Sequence, residues 1–249
     1  MTTRPVRYFA IAALSASLGL AATIPRTADG KPNLSGVWQG GGVSLYGEGP
    51  GTHPAPPPAV NPPPKREPIP YQSWAEAKSK TFTPADDPTL RCLLPGVPRI
   101  TSMPMPLEIV QTPKEIVIAY ESFHAFRIIP LNDKLQHPND LVPTWMGDSV
   151  ARWDGDTLVV DVTGFNDKTW LSGTGSIHSE DLHVVERFQL NSDDTITYTA
   201  TVTDPKVLTK PWTTGALLRR PPHTRVEEYE CIENNQDLDH LTGPSVKAK

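Results

Sequence analysis

The chain has 249 residues, of which 37% are hydrophobic and 20% charged, with a net charge of -5. Its mean hydropathy is -0.36 and its isoelectric point about 5.8. This supports a soluble core of one large domain or two small ones, and no cluster of Lys and Arg interleaved with aromatics argues for a nucleic-acid partner. The 28 prolines are concentrated in the first hundred residues.

Residues 1–22 read as an export signal. Arg4 and Arg7 form a basic start, and Tyr8 to Leu20 is an apolar run of about a dozen residues followed by small residues. That run is short against the roughly 20 residues a membrane span needs, so the mature protein is expected to be secreted or periplasmic with no membrane partner. Residues 23–100 form a proline-rich extension. It holds a first strand at Gly36 to Trp38, a polyproline stretch over Pro54 to Pro70 and one short helix over Tyr71 to Lys80. A proline lacks the N–H that a sheet interior requires, so the polyproline stretch is expected to wrap outside the sheet.

Residues 101–249 read as the barrel domain. Strands are predicted over Leu107–Gln111, Glu115–Ser122, His124–Leu131, Ser149–Trp153, Leu158–Thr163, His183–Leu190, Thr195–Thr203 and Arg225–Ile232. Asp154-Gly155-Asp156 is a hairpin signal between two of them. Alternation in the Thr195 strand puts Ile196, Tyr198, Ala200 and Val202 on one face and the threonines on the solvated one. About nine strands in an up-and-down order bury their edges best by closing. The expected fold is therefore all-β: a single antiparallel calycin-like or lipocalin-like barrel, with a flattened sandwich as the alternative. Barrels of about eight strands can hold one small ligand.

Two cysteines, Cys92 and Cys231, allow one disulfide in an exported protein, and two free buried thiols are the alternative. The phrases DGKPNLSGVW, RCLLPGVPR, WDGDTLVVDVTGFNDKTWL and LHVVERF resemble those of a widespread group of secreted, β-rich bacterial proteins. The resemblance runs from about Asp29 to Glu233 and implies export and a single domain. It carries no activity and no catalytic residue.

Glu186 shares a face with Leu182, Val184, Phe188 and Leu190. A carboxyl there is either half of a buried ion pair, with Arg127 or Arg152, or an acid with a raised pKa suited to proton transfer. His124, His178 and Glu186 are the acid–base candidates. Tyr120 and Arg127 would orient substrate, and Trp145 and Trp170 would stack on it. Asp161 interrupts an apolar run between Val160 and Val162, and is solvated, paired or part of a site. His183 lies on the face opposite Glu186. The set His178, Glu180, His183 and Glu186 matches no recognised ligand spacing, so no metal is expected. There is no GxSxG elbow, GxGxxG or P-loop, so no cofactor is expected either. The composite expectation is a barrel with an internal pocket for a small apolar or cyclic molecule, running cofactor-independent acid–base chemistry as a lyase, isomerase or hydratase. A non-catalytic periplasmic carrier is the alternative, and a metal-dependent hydrolase the third reading.

Overall fold

The computed structural model describes residues 24–41, 62–65, 67–233 and 235–236, so the expected export signal lies outside the described residues. Nine strands form one sheet: β1 (Gly36–Gly41), β2 (Pro106–Gln111), β3 (Glu115–Tyr120), β4 (Phe126–Pro130), β5 (Asp148–Asp154), β6 (Thr157–Thr163), β7 (His183–Ser192), β8 (Thr195–Thr203) and β9 (Trp212–Arg219). Among the described residues there is one α-helix, α1, spanning Ser73–Ser79. Among the described residues no helix is long and apolar enough to cross a membrane.

The strand order is β4-β3-β2-β1-β9-β8-β7-β6-β5, every laddered pair antiparallel. The two ends of that order, β4 and β5, are consecutive in the chain and meet through a bridge between Leu131 and Ala151. The sheet is thus a nearly closed barrel. Directions that alternate around a ring return in phase only for an even number of strands. With nine, one neighbouring pair must run parallel, and the Leu131–Ala151 bridge is parallel. The seam there has no continuous ladder. A backbone bond from Asn132 N–H to Ala151 O at 2.7 Å crosses it.

Inward residues follow strand parity. Trp38, Leu107, Ile109, Ile116, Ile118, Ile129, Leu158, Phe188 and Tyr198 are fully buried, and each such apolar side chain contributes about 1.5–3 kcal/mol on leaving water. Val97, Ile100 and Thr101, in and beside the 3-10 turn Arg99–Ser102, are also buried. That turn is tied to the neighbouring one by a buried two-pronged pair, Arg99 donating to Asp87 at 2.9 and 2.6 Å. The described part of the proline-rich segment runs over the outside of β9, where the Trp212 indole donates to Glu67 O at 2.8 Å. Gly215 is a glycine for this reason: a Cβ there would stand 3.0–3.1 Å from Pro64 and Pro63 and 2.5 Å from Tyr198 O.

Two sequence-based assignments change. Arg225–Ile232 is not a strand, and the ninth strand is Trp212–Arg219. The Arg225–Ile232 stretch carries one Arg and three Glu, and none of its side chains is buried, so it offers no face to a core. In β9, Trp212, Ala216 and Leu218 alternate inward and the strand pairs with both β8 and β1. The strand expected to start at His124 begins at Phe126, because Phe123 and His124 take positive φ (62° and 49°) in a 3-10 turn. Cys92 and Cys231 form a disulfide with a Cα separation of 5.6 Å, tying the region before β2 to the tail after β9.

Candidate functional site

Two clusters of polar side chains stand apart from the rest, one inside the barrel and one outside. The inner cluster straddles the seam. Parity turns Arg127 of β4 inward and leaves Phe126 and Ile128 exposed. The Arg127 guanidinium donates to Glu186 Oε2 at 2.6 Å and to Ser149 Oγ at 2.8 Å. Tyr198 donates to the other Glu186 oxygen at 2.9 Å, and the Tyr120 hydroxyl lies 3.2 Å from Thr101 Oγ1. Of the two alternatives for Glu186, the structure selects the buried ion pair. Burial pulls the guanidinium pKa down, and the Glu186 charge and hydrogen bond together with the contribution of Tyr120 outweigh this, leaving Arg127 above its ordinary value. Burial pushes the Tyr120 and Tyr198 hydroxyls up. Glu186 is therefore a hydrogen-bond acceptor for Arg127 and Tyr198 rather than a lone carboxyl in an apolar face. Arg127 Nη1 is buried with no hydrogen-bond partner among the described residues.

The expected acid–base trio does not assemble. His124 is half exposed beyond the end of β3, with Glu230 as its nearest partner at 3.7 Å. His178 is 5% exposed, and both ring nitrogens are engaged: Nδ1 donates to Ser179 O at 2.9 Å, and Nε2 accepts from Thr169 at 2.6 Å. Burial lowers its pKa, which suits a neutral ring. Neither shares a bond with Glu186. Trp170 is buried, edge-on to Phe82, so it packs rather than presents a face. Trp145 is half-buried beneath the ammonium of Lys168.

The outer cluster lies across β5, β6 and β7. Asp148, Asp161 and His183 face outward at the same end of these strands, and His137 folds over them from the loop between β4 and β5. Asp148 Oδ2 is 2.6 Å from His137 Nδ1, His137 Nε2 is 3.0 Å from Asp161 Oδ1, and Asp161 Oδ2 is 2.8 Å from His183 Nε2. The loop is held in place by Thr144 N–H to Gly164 O at 2.9 Å and Asn166 N–H to Thr144 O at 2.7 Å. Gly147 sets up the entry of Asp148 into β5. Its φ is +69°, and a Cβ there would meet Thr163 O at 2.8 Å and Phe165 at 3.0 Å.

Carboxylate oxygens only accept, so both His137 nitrogens must donate unless one of the acids carries the proton. At the outer end, His183 donates Nε2–H to Asp161, and Nδ1 has no partner among the described residues. The His183 side chain is 42% exposed, while His137 behind it is 13% exposed. The Asp161 hydrogen bond raises the His183 pKa above its ordinary value. Burial pushes the Asp161 carboxyl up, and bonds from His183 and His137 outweigh it and hold it low. This is a carboxylate-oriented imidazole with one free nitrogen, the arrangement that general acid–base catalysis uses. Among the described residues no group of three or more His, Cys, Asp or Glu is disposed to hold a metal ion.

Sequence reasoning marked Asp161 as an anomaly and set His183 on the face opposite Glu186, but did not join them. His137 and Asp148 carried no signal of their own, since they meet only once the loop folds back. Compared with known proteins, the chain matches no family model, no curated protein and no solved structure.

Proposed function

We propose that this protein is an exported, cofactor-independent acid–base enzyme acting on a small molecule. In this reading His183 moves the proton and Asp161, His137 and Asp148 hold it in place. The observation that carries it is the four-membered chain ending in a partly exposed imidazole whose Nδ1 has no partner among the described residues. With Nε2 held by Asp161, the Nδ1 lone pair accepts a proton from a carbon next to a carbonyl or carboxylate. In an isomerisation that proton returns to another carbon. In a dehydration it leaves with the departing hydroxyl as water. Both balances close without an oxidant or a second substrate, so lyase, isomerase and hydratase chemistry all fit. Export is supported by the Cys92–Cys231 bond, which suits an oxidising compartment, and membership of the secreted group that the sequence resembles is part of the same proposal.

The test is a screen of small cyclic and aromatic molecules with an acidic C–H, followed by His183→Gln on any that turn over. Loss of a general base typically costs about 10²- to 10⁴-fold in rate. Turnover unchanged by His183→Gln would remove the outer chain from the mechanism. A second reading, the non-catalytic carrier, is favoured by one observation: the partnerless Nη1 of Arg127 inside the barrel. A ligand oxygen would satisfy it, and a ligand bound there would lose affinity in Arg127→Lys while His183→Gln left it alone.

A further inference from the structure

We propose that the groove bordered by Thr203 seats the substrate of the His183 site, and that it selects a small molecule with an apolar body and one carboxylate. This inference rests on the reading of His183 as the proton-transfer group. Thr203 is the cross-strand partner of His183 in the β7–β8 ladder, and its hydroxyl donates to His183 O at 3.3 Å. Directly opposite residues on one face have Cβ atoms about 4.5–5.5 Å apart, so a molecule lying over Thr203 is within reach of the His183 ring.

The groove beside Thr203 has a volume of about 490 Å³ and is walled by Gln72, Pro205, Leu208, Lys210 and Pro211. That volume is in the range of sites for small molecules, about 300–1,000 Å³. Its walls are fixed before any ligand arrives. Gln72 donates to Pro205 O at 2.7 Å, and the two prolines restrict the chain on either side of Leu208. Two charges bear on the groove. Asp204 is 2% exposed and accepts from Ser179 N–H, the Ser179 hydroxyl and the N–H groups of Lys206 and Val207, at 2.6–3.2 Å. These neutral donors hold the Asp204 carboxylate turned into the protein, so the exposed charge on the groove wall is that of Lys210. Lys210 is exposed and, among the described residues, makes no ion pair, in contrast to Lys206, which holds Asp181 at 2.9 Å. A wall of proline and leucine with one uncommitted ammonium fits an apolar acid. Seating the carboxylate on Lys210 would turn the remainder of the molecule toward Thr203 and His183.

The test uses the whole chain and two probes of like shape, benzoate and neutral benzamide, titrated while backbone amide signals are followed by NMR. Benzoate is expected to shift the signals of the non-proline residues from Thr203 to Lys210 and of His183, and to bind about fivefold more tightly than benzamide, the gain an exposed ion pair gives. Lys210→Ala should abolish that preference, Lys206→Ala should leave it, and raised salt should weaken benzoate alone. Equal binding of the two probes, benzoate binding unaffected by Lys210→Ala, or shifts that miss Thr203 to Lys210 would each overturn the proposal. The two readings fail separately. Benzoate in the groove with turnover that survives His183→Gln leaves the seat and removes the base. Turnover abolished by His183→Gln with no carboxylate preference leaves the base and removes the seat.

Discussion

His183 Nε2 lies 2.8 Å from Asp161 Oδ2 across the β6–β7 ladder, and the same carboxylate holds His137 by its other oxygen at 3.0 Å. One aspartate thus orients two imidazoles, and the exposed ring inherits an order set by the buried one.

The first prediction is a titration. The hydrogen bond to Asp161 favours the charged form of His183, so its pKa lies above the ordinary 6.5. In Asp161→Asn that bond no longer ends on a charge, and the His183 pKa should fall back. NMR titration of the ring protons measures both proteins. A His183 pKa that is the same in wild type and Asp161→Asn would show that the bond does not set it.

The second prediction concerns pH. The folded-state pKa of His183 is raised, so its contribution to stability is complete below 6.5 and is lost as pH rises through the higher folded value. Asp161 is depressed, so its contribution is present above 3.8 and is lost as pH falls through its lower folded value. The chain is therefore tightest between these limits. A base must be unprotonated, so turnover should rise with pH above 6.5 while the His183 contribution to stability declines. Urea midpoints and initial rates over the same pH series would show the opposed trends, and Asp161→Asn should shift the rate limb downward.

The strands were legible where alternation was strict. In β3 the buried Ile116, Ile118 and Tyr120 fell on one face, and in β8 the threonines fell on the other. Alternation failed at β9, where Gly215 and the TKPW turn masked a strand whose inward residues are Trp212, Ala216 and Leu218. It also failed to reveal the seam, since the parallel β4–β5 contact follows from an odd strand count rather than from any local pattern. Glu186 was legible as an acid on an apolar face, and the choice of Arg127 over Arg152 needed the barrel to close. The outer site was half legible. Asp161 was visibly out of place, whereas His137 sits 24 residues before it and joins through a loop with no periodicity to read.

The third prediction is the disulfide. Cys92 and Cys231 are 139 residues apart, and closing so long a loop in the unfolded chain limits its entropy by an equivalent of about 5 kcal/mol, a figure engineered bridges often fall short of. Cys92→Ser/Cys231→Ser should lower the urea midpoint by a matching amount. Non-reducing mass spectrometry of the wild type should show the linked peptides and no alkylatable thiol.

The fourth prediction is the seam. Arg127 and Glu186 are 3% and 0% exposed at their side chains and meet at 2.6 Å. Arg127 also reaches Ser149 on β5, across the one gap in the sheet that lacks a ladder. Among the described residues, removing the guanidinium leaves a buried carboxylate with Tyr198 alone to hold it, and breaking such a pair costs about 3–5 kcal/mol. Arg127→Met should therefore destabilise strongly. Tyr198→Phe, which removes one hydrogen bond to the same carboxylate, should cost about 1.5–3 kcal/mol. The informative variant is the pair Arg127→Met with Glu186→Leu. Two apolar side chains leave no buried charge, so most of the single-variant loss should return, because the desolvation cost of the ions disappears with them. If stability returns in the double variant, the pair serves the structure by being complete rather than by being ionic. If it does not, Arg127 holds the seam through Ser149, and the double variant should then show faster amide exchange at Leu131 and Ala151, where β4 meets β5, than in strands remote from the gap. Urea unfolding with hydrogen exchange on the four proteins separates these outcomes.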